Sequence, residues 1–232
     1  MIQVQMLSSQ NSNIDYKYSI KLYNLSRYEE TEQSKFMNST THDYFFDKKN
    51  NLQIFHPTLA IQWRTKKNNF QEIELVDMKW EKQESTTQLR NDSTHGNMLL
   101  SGEKVAETSI ALRYEYTFVF NKKKEKRFVP SLGLAASPYL QSYKSSPELS
   151  ASFPTTERHT GLRMFVTPRI TYFFKQKMFL DFNIPICIAQ AEYSEEYTDN
   201  PSLPANQKQI SSFDFNGIPK TFSARIGIGI KL

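Results

Sequence analysis

Apolar and polar residues alternate along most of this chain with a period of two. Successive side chains of an extended strand point to opposite faces, so this period marks strands with one apolar and one polar side. From Glu107 to Phe120, one face holds Ile110, Leu112, Tyr114, Tyr116, Phe118 and Phe120. The other holds Ala111, Arg113, Glu115, Thr117 and Val119. Lys220 to Leu232 repeats the pattern, with Phe222, Ala224, Ile226, Ile228, Ile230 and Leu232 against Ser223, Arg225, Gly227, Gly229 and Lys231. Glycine alternating with isoleucine is poor helix material, so this end is a strand.

Six further segments carry the same alternation: Ile14 to Leu25, Leu52 to Thr65, Phe70 to Glu81, Arg127 to Leu140, Gly161 to Phe174 and Met178 to Tyr193. The count is therefore eight strands. In the first, Ile14, Tyr16, Tyr18, Ile20 and Leu22 share a face; in the second, Phe55, Leu59, Ile61 and Trp63 do. In Phe70 to Glu81, Val76, Met78 and Trp80 fall on the face of Glu72 and Glu74, which predicts a bulge or register shift inside that strand. Pro57, Pro130, Pro168 and Pro185 lie within proposed strands, where proline cannot donate to the ladder; local bulges or unpaired positions are expected there.

The connections alternate in length. Lys66 to Asn69, Asn121 to Lys126 and Lys175 to Lys177 are short and lysine-rich, whereas those near 26–51, 82–106, 141–160 and 194–219 are long and polar. Short turns at one end and long loops at the other are the rhythm of a membrane barrel. Aromatic residues agree with it. Trp63, Phe118, Phe120, Phe128, Tyr172 and Phe174 lie beside the short turns and are expected to form one interfacial girdle, with Trp80, Tyr139, Tyr193 and Phe222 near the other end.

Composition narrows the class. The 232 residues suit one domain, read as an N-terminal segment over 1–13 and a barrel over 14–232. Mean hydropathy is −0.59, and no stretch approaches the roughly 18–20 unbroken apolar residues of a membrane-spanning helix. Aromatics make up 13%, in keeping with strands and interfaces. The lone Cys187 permits no intrachain disulfide and is expected to pack in the lumen. Met1 to Met6 lacks a basic and apolar signal pattern, so the chain is expected to be a mature form.

The terminal strand FSARIGIGIKL and the hairpin ITYFFKQKMFLDFNIPICIAQ resemble those of small outer-membrane β-barrel proteins of Gram-negative bacteria, especially the Bacteroidetes-type barrels. The resemblance covers Ile14 to Leu232. It implies an all-β fold: an eight-stranded antiparallel up-and-down transmembrane barrel with short periplasmic turns and long extracellular loops. In that family the last strand signals to the insertion machinery and often ends in an aromatic residue; here it ends in Leu232. Such a resemblance speaks to fold and location rather than to activity.

The inward faces carry Arg113, Glu115, Arg163, Arg169, Asp181 and Arg225, joined by Glu72 and Glu74. Eight strands enclose a lumen that side chains fill, so these charges are expected to pair as a structural network. A narrow polar path is the competing reading. An outer-membrane enzyme acting on lipid or peptide is a further alternative; it would need His42, His56, His95 or His159 beside a carboxylate or hydroxyl, and Glu157 with His159 is the pair that could share a face. No cofactor, metal or phosphate-binding motif is present in the sequence. The net charge of +5 sits largely in turns, which argues against a nucleic-acid surface. The expected partners are outer-membrane lipid and other outer-membrane proteins, with a structural or interaction role. A soluble lipocalin-like barrel would need the opposite facing, with an apolar interior.

Overall fold

A computed structural model describes residues 16–38, 43–89, 98–120, 127–147, 153–217 and 221–232. Among the described residues, eleven strands build eight staves. The first is β1 (Tyr18–Asn38). The second is interrupted, as β2 (Asp43–Gln53) and β3 (Pro57–Arg64). The next four are β4 (Phe70–Leu89), β5 (Met98–Val119), β6 (Phe128–Pro147) and β7 (Thr155–Phe173). The seventh consists of β8 (Met178–Asn183) and β9 (Ile186–Thr198), and the eighth of β10 (Gln209–Gly217) and β11 (Thr221–Lys231). Neighbours pair antiparallel throughout, and β1 closes on β11 from Ser19↔Lys231 to Glu29↔Thr221. The chain is a closed eight-stranded antiparallel barrel.

Its facing follows the alternation. Ile20, Leu22, Leu59, Ile61, Leu134 and Ile228 are exposed on the outer wall, whereas Ser19, Lys21, Thr58, Gln62, Ala135 and Gly227 are buried in the lumen. Two inward glycines of β11 make that lumen possible. A Cβ on Gly227 would run into the Tyr23 ring, and one on Gly229 into Phe179.

The irregularity expected in the third stave sits at Val76. Leu75 pairs with Leu112 and Asp77 with Ala111, so Val76 is the extra residue. The outward positions shift from Ile73 and Leu75 below it to Met78 and Trp80 above it. A bulge thus resolves the conflict that placed Trp80 on the face of Glu72 and Glu74. The break at 54–56 lies alongside, where the His56 imidazole Nε2 bonds the Val76 carbonyl at 2.7 Å.

The prolines sit where a missing donor is harmless. Amide and carbonyl of one strand residue face the same neighbour. The Pro168 carbonyl accepts from Ile184 N at 3.1 Å, so its donor gap faces the break between β8 and β9, which also holds Pro185. Pro130 similarly faces Phe120, just past the end of β5. Pro57 is the first residue of β3.

Three expectations need correction. Tyr16 was expected on the outer face with Tyr18, but it precedes the strand and folds inward. There it stacks on Phe70 at 5.3 Å and Phe179 at 5.7 Å, in an apolar plug with Val119, Val129 and Phe173. Tyr139 was expected in the outer girdle but is buried in the lumen, as its odd-numbered neighbours Ala135 and Ser137 are. Finally, the long connections are largely strand: β4 and β5 stay paired up to Leu89↔Met98, and β6 and β7 up to Ser145↔Thr155. These extensions carry no sustained apolar alternation in the sequence.

The bulge makes a prediction about register. Deleting Val76 removes the extra residue of the ladder, together with the acceptor of the His56 hydrogen bond, and leaves both faces in place, whereas deleting Ala60 inverts the facing of one end of β3. The Val76 deletion is expected to retain a band that migrates faster unheated than boiled on a denaturing gel. The Ala60 deletion is expected to lose it. Equal behaviour of the two would contradict the assigned register.

Candidate functional site

Above the apolar plug, the inward faces of six staves bring charge to one level. Lys21 comes from β1, Glu72 and Glu74 from β4, Arg113 and Glu115 from β5, Arg169 from β7, Asp181 from β8 and Arg225 from β11. All are buried. Lys21 Nζ lies 2.7 Å from Glu72 Oε2 and 2.6 Å from Asp181 Oδ2. Arg169 reaches Glu72 at 3.0 Å, Glu115 at 2.8 Å and Asp181 at 3.2 Å. Arg113 Nη2 donates to Glu115 Oε2 at 2.7 Å and to Thr167 Oγ1 at 2.6 Å. Arg225 pairs with Glu74 and donates from Nε to Asn183 Oδ1 at 2.6 Å.

Four cations face four carboxylates, so the layer is neutral as a whole. Neutral hydrogen-bonding groups use the remaining lone pairs. Tyr23 OH donates toward Asp181 at 3.1 Å, and Thr58 Oγ1 donates to Glu74 at 2.5 Å. Each buried charge is thereby paired and holds at least one hydrogen bond, while Arg113 Nε, Arg169 Nε and Arg225 Nη2 are left without a hydrogen-bond acceptor.

Of the residues singled out in the sequence, Arg113, Glu115, Arg169, Asp181 and Arg225 meet in this layer. Arg163 does not. It lies higher in the lumen, where Nε donates to Gln190 Oε1 at 3.2 Å and the guanidinium stacks 4.4 Å over the Tyr139 ring. Sequence reasoning passed over Lys21 and Tyr23. Their odd positions opposite Ile20 and Leu22 were the available signal.

Arg163 belongs to a second cluster. Tyr139 OH donates to Glu192, whose other oxygen lies 3.1 Å from His159 Nδ1. Gln190 Nε2 donates to Tyr139 OH at 3.0 Å. His159 Nε2 is 3.7 Å from Glu157, so the shared face expected for that pair is present. Among the described residues no hydroxyl or thiol is hydrogen-bonded to His159, so no activated nucleophile is assembled there. His56 is spent on the Val76 carbonyl, and His42 and His95 lie outside the described residues.

The expected girdle residues stand on the outer wall at the short-turn end. Phe118, Phe120, Phe128 and Phe174 are exposed. Phe128 stacks on Tyr172 at 4.6 Å, Tyr172 on Phe174 at 6.4 Å, and Trp63 Nε1 donates to Gln71 at 2.6 Å. Toward the other end, Trp80, Tyr193, Phe213 and Phe215 are exposed; the side chain of Phe222 lies outside the described residues.

No family model and no curated protein matches the sequence. Among solved structures, the chain is similar to Ail, the attachment invasion locus protein of Yersinia pestis, with 9% identity, a TM-score of 0.36 and coverage of 94% of this chain and 99% of that one. The outer-membrane protease OmpT from Escherichia coli gives 9% identity, a TM-score of 0.48 and coverage of 93% and 94%. The KdgM porin gives 10%, 0.23, and 90% and 99%. At such values no residue role passes from those proteins to this chain.

The ionic layer predicts strong pairwise coupling. Arg225→Met leaves Glu74 buried without its cation and is expected to cost about 3–5 kcal/mol. The double variant Arg225→Met with Glu74→Met is expected to recover much of that loss in urea unfolding of lipid-refolded protein. A double loss equal to the sum of the single losses would show the two side chains to be uncoupled.

Proposed function

We propose that this chain is an integral outer-membrane barrel with a filled, non-conducting lumen and an interaction role carried by the strands beyond its closed rim. The observation that supports the membrane reading is the facing: aliphatic and aromatic residues outside, four ion-paired cations inside. Leaving an aliphatic side chain half in water forfeits on the order of 1 kcal/mol. More than a dozen such positions ring the outer wall. Their sum rivals the ~5–15 kcal/mol net stability of a whole domain. Lipid is the solvent that removes this cost, and the girdle aromatics suit its interfaces.

The filling of the lumen supports a scaffold over a pore. The space between the apolar plug and the ionic layer amounts to about 10 Å³, at the limit for a single water. The interaction reading rests on the upper strands. Among the described residues β10 pairs only with β9, and Ile210, Phe213 and Phe215 on it are each about two-thirds exposed. A free strand edge with apolar side chains suits a second protein that adds a strand or packs against it.

Fractionation of cells expressing the natural protein tests the location, and planar-bilayer recording tests the lumen. The expected result is an outer-membrane, heat-modifiable protein that gives no discrete current steps. A detergent-free soluble protein would overturn the membrane reading. Regular single-channel steps would overturn the filled lumen.

A further inference from the structure

Above the ionic layer, on the side of the long connections, the lumen holds a cavity of about 50 Å³. One water needs roughly 10–15 Å³, so a few waters or one small polyatomic ion can enter. Arg113 and Arg225, from the ionic layer, form its floor, and Arg163 and Tyr139 stand in its wall. Asp77 also lines it and accepts from Ser109 Oγ at 2.8 Å.

The guanidinium groups have donors to spare. Arg225 Nη2 and Arg113 Nε have no hydrogen-bond acceptor, although both residues are more than nine-tenths buried; Arg225 Nη2 faces Glu115 Oε2 at 3.6 Å, an ion-pair contact too long for a hydrogen bond. The layer beneath already balances four cations with four carboxylates, and these N–H groups make no hydrogen bond within it. Arg163 is bonded through Nε alone, and among the described residues no carboxylate is within ion-pair distance of it. Its Cζ lies 4.4 Å over the centre of the Tyr139 ring, and among the described residues neither Nη group has a hydrogen bond. Buried donors without acceptors cost free energy, and a rigid fork of such donors matches the oxygens of an oxyanion.

We propose that this cavity is a binding site for a small oxyanion: a carboxylate, phosphate or sulfate, free or at the end of a larger molecule. Arg163 grips the anion from the wall, and Arg225 and Arg113 meet it from the floor. The site depends on the barrel interior alone, so its test is separable from that of the membrane reading.

Folded protein in detergent micelles is titrated calorimetrically with inorganic phosphate, sulfate and acetate at low ionic strength, with chloride as the control. Saturable one-to-one binding of at least one oxyanion, and none of chloride, is expected. Arg163→Gln is expected to weaken it tenfold or more, and Arg163→Lys to weaken it less. Arg158→Gln, an equal change of charge on an exposed residue of the same strand, is expected to leave it unchanged. Heat-modifiability of each variant reports folding separately. Absence of saturable binding of all three oxyanions to the unsubstituted protein would overturn the proposal. So would equal weakening by the Arg163 and Arg158 substitutions, which would mark a diffuse field.

Discussion

A closed barrel of eight staves has one interior, and what fills it decides everything else about the molecule. Here that interior is ionic. Arg169 alone touches Glu72, Glu115 and Asp181, drawing together β4, β5, β7 and β8. Arg225 and Lys21 add β11 and β1, the two strands whose pairing closes the ring. Desolvated charges of this kind bring little net stability when complete, but they heavily penalise any arrangement that leaves one unpaired. A register slip of one residue on any of these staves would turn a charge outward and orphan its partners. The layer therefore acts chiefly as a specification of register and closure.

The rest of the architecture follows from that placement. Because polar groups occupy the inside, the apolar residues have only the outer wall. Below the ionic layer the taper is filled by rings: Tyr16, Phe70, Phe173 and Phe179 stop the lumen at the short-turn end. Inward glycines on β11 give Tyr23 and Phe179 their space. Above the layer the filling thins out, and the strands run on past the ring into β1–β2 and β9–β10 extensions. The buried ion pairs and the apolar plug lie where the staves close, and the paired extensions lie where they do not.

How much of this was legible depended on whether a residue had contrasting environments on its two sides. Within the closed ring each strand separates an apolar outside from a polar inside, so the period of two was plain at Leu112–Arg113–Tyr114 and at Ile226–Gly227–Ile228. Even the Val76 bulge left a trace, since Glu74 and Trp80 could not share a face. Past the ring that contrast disappears, and the strand content of 82–89 or 141–147 was hidden in polar sequence. Tyr16 and Tyr139 misled for another reason. Aromatic rings serve equally as interfacial anchors and as plug or cluster residues, and composition alone does not separate the two; for Tyr139 its odd position did. The separation of Arg163 from the other inward charges is a matter of height along the barrel axis, set by strand stagger that no single strand's pattern records.

The central claim is that the outer wall meets lipid and the inner wall meets charge. A fluorescent-cysteine scan of β6, in a Cys187→Ala background reconstituted with lipids carrying a quencher on their acyl chains, tests it directly. Leu132, Leu134 and Ala136 are expected to be quenched strongly, and Ser131, Ala135 and Ser137 weakly, giving a period of two. Uniformly weak quenching, or the opposite phase, would contradict the account.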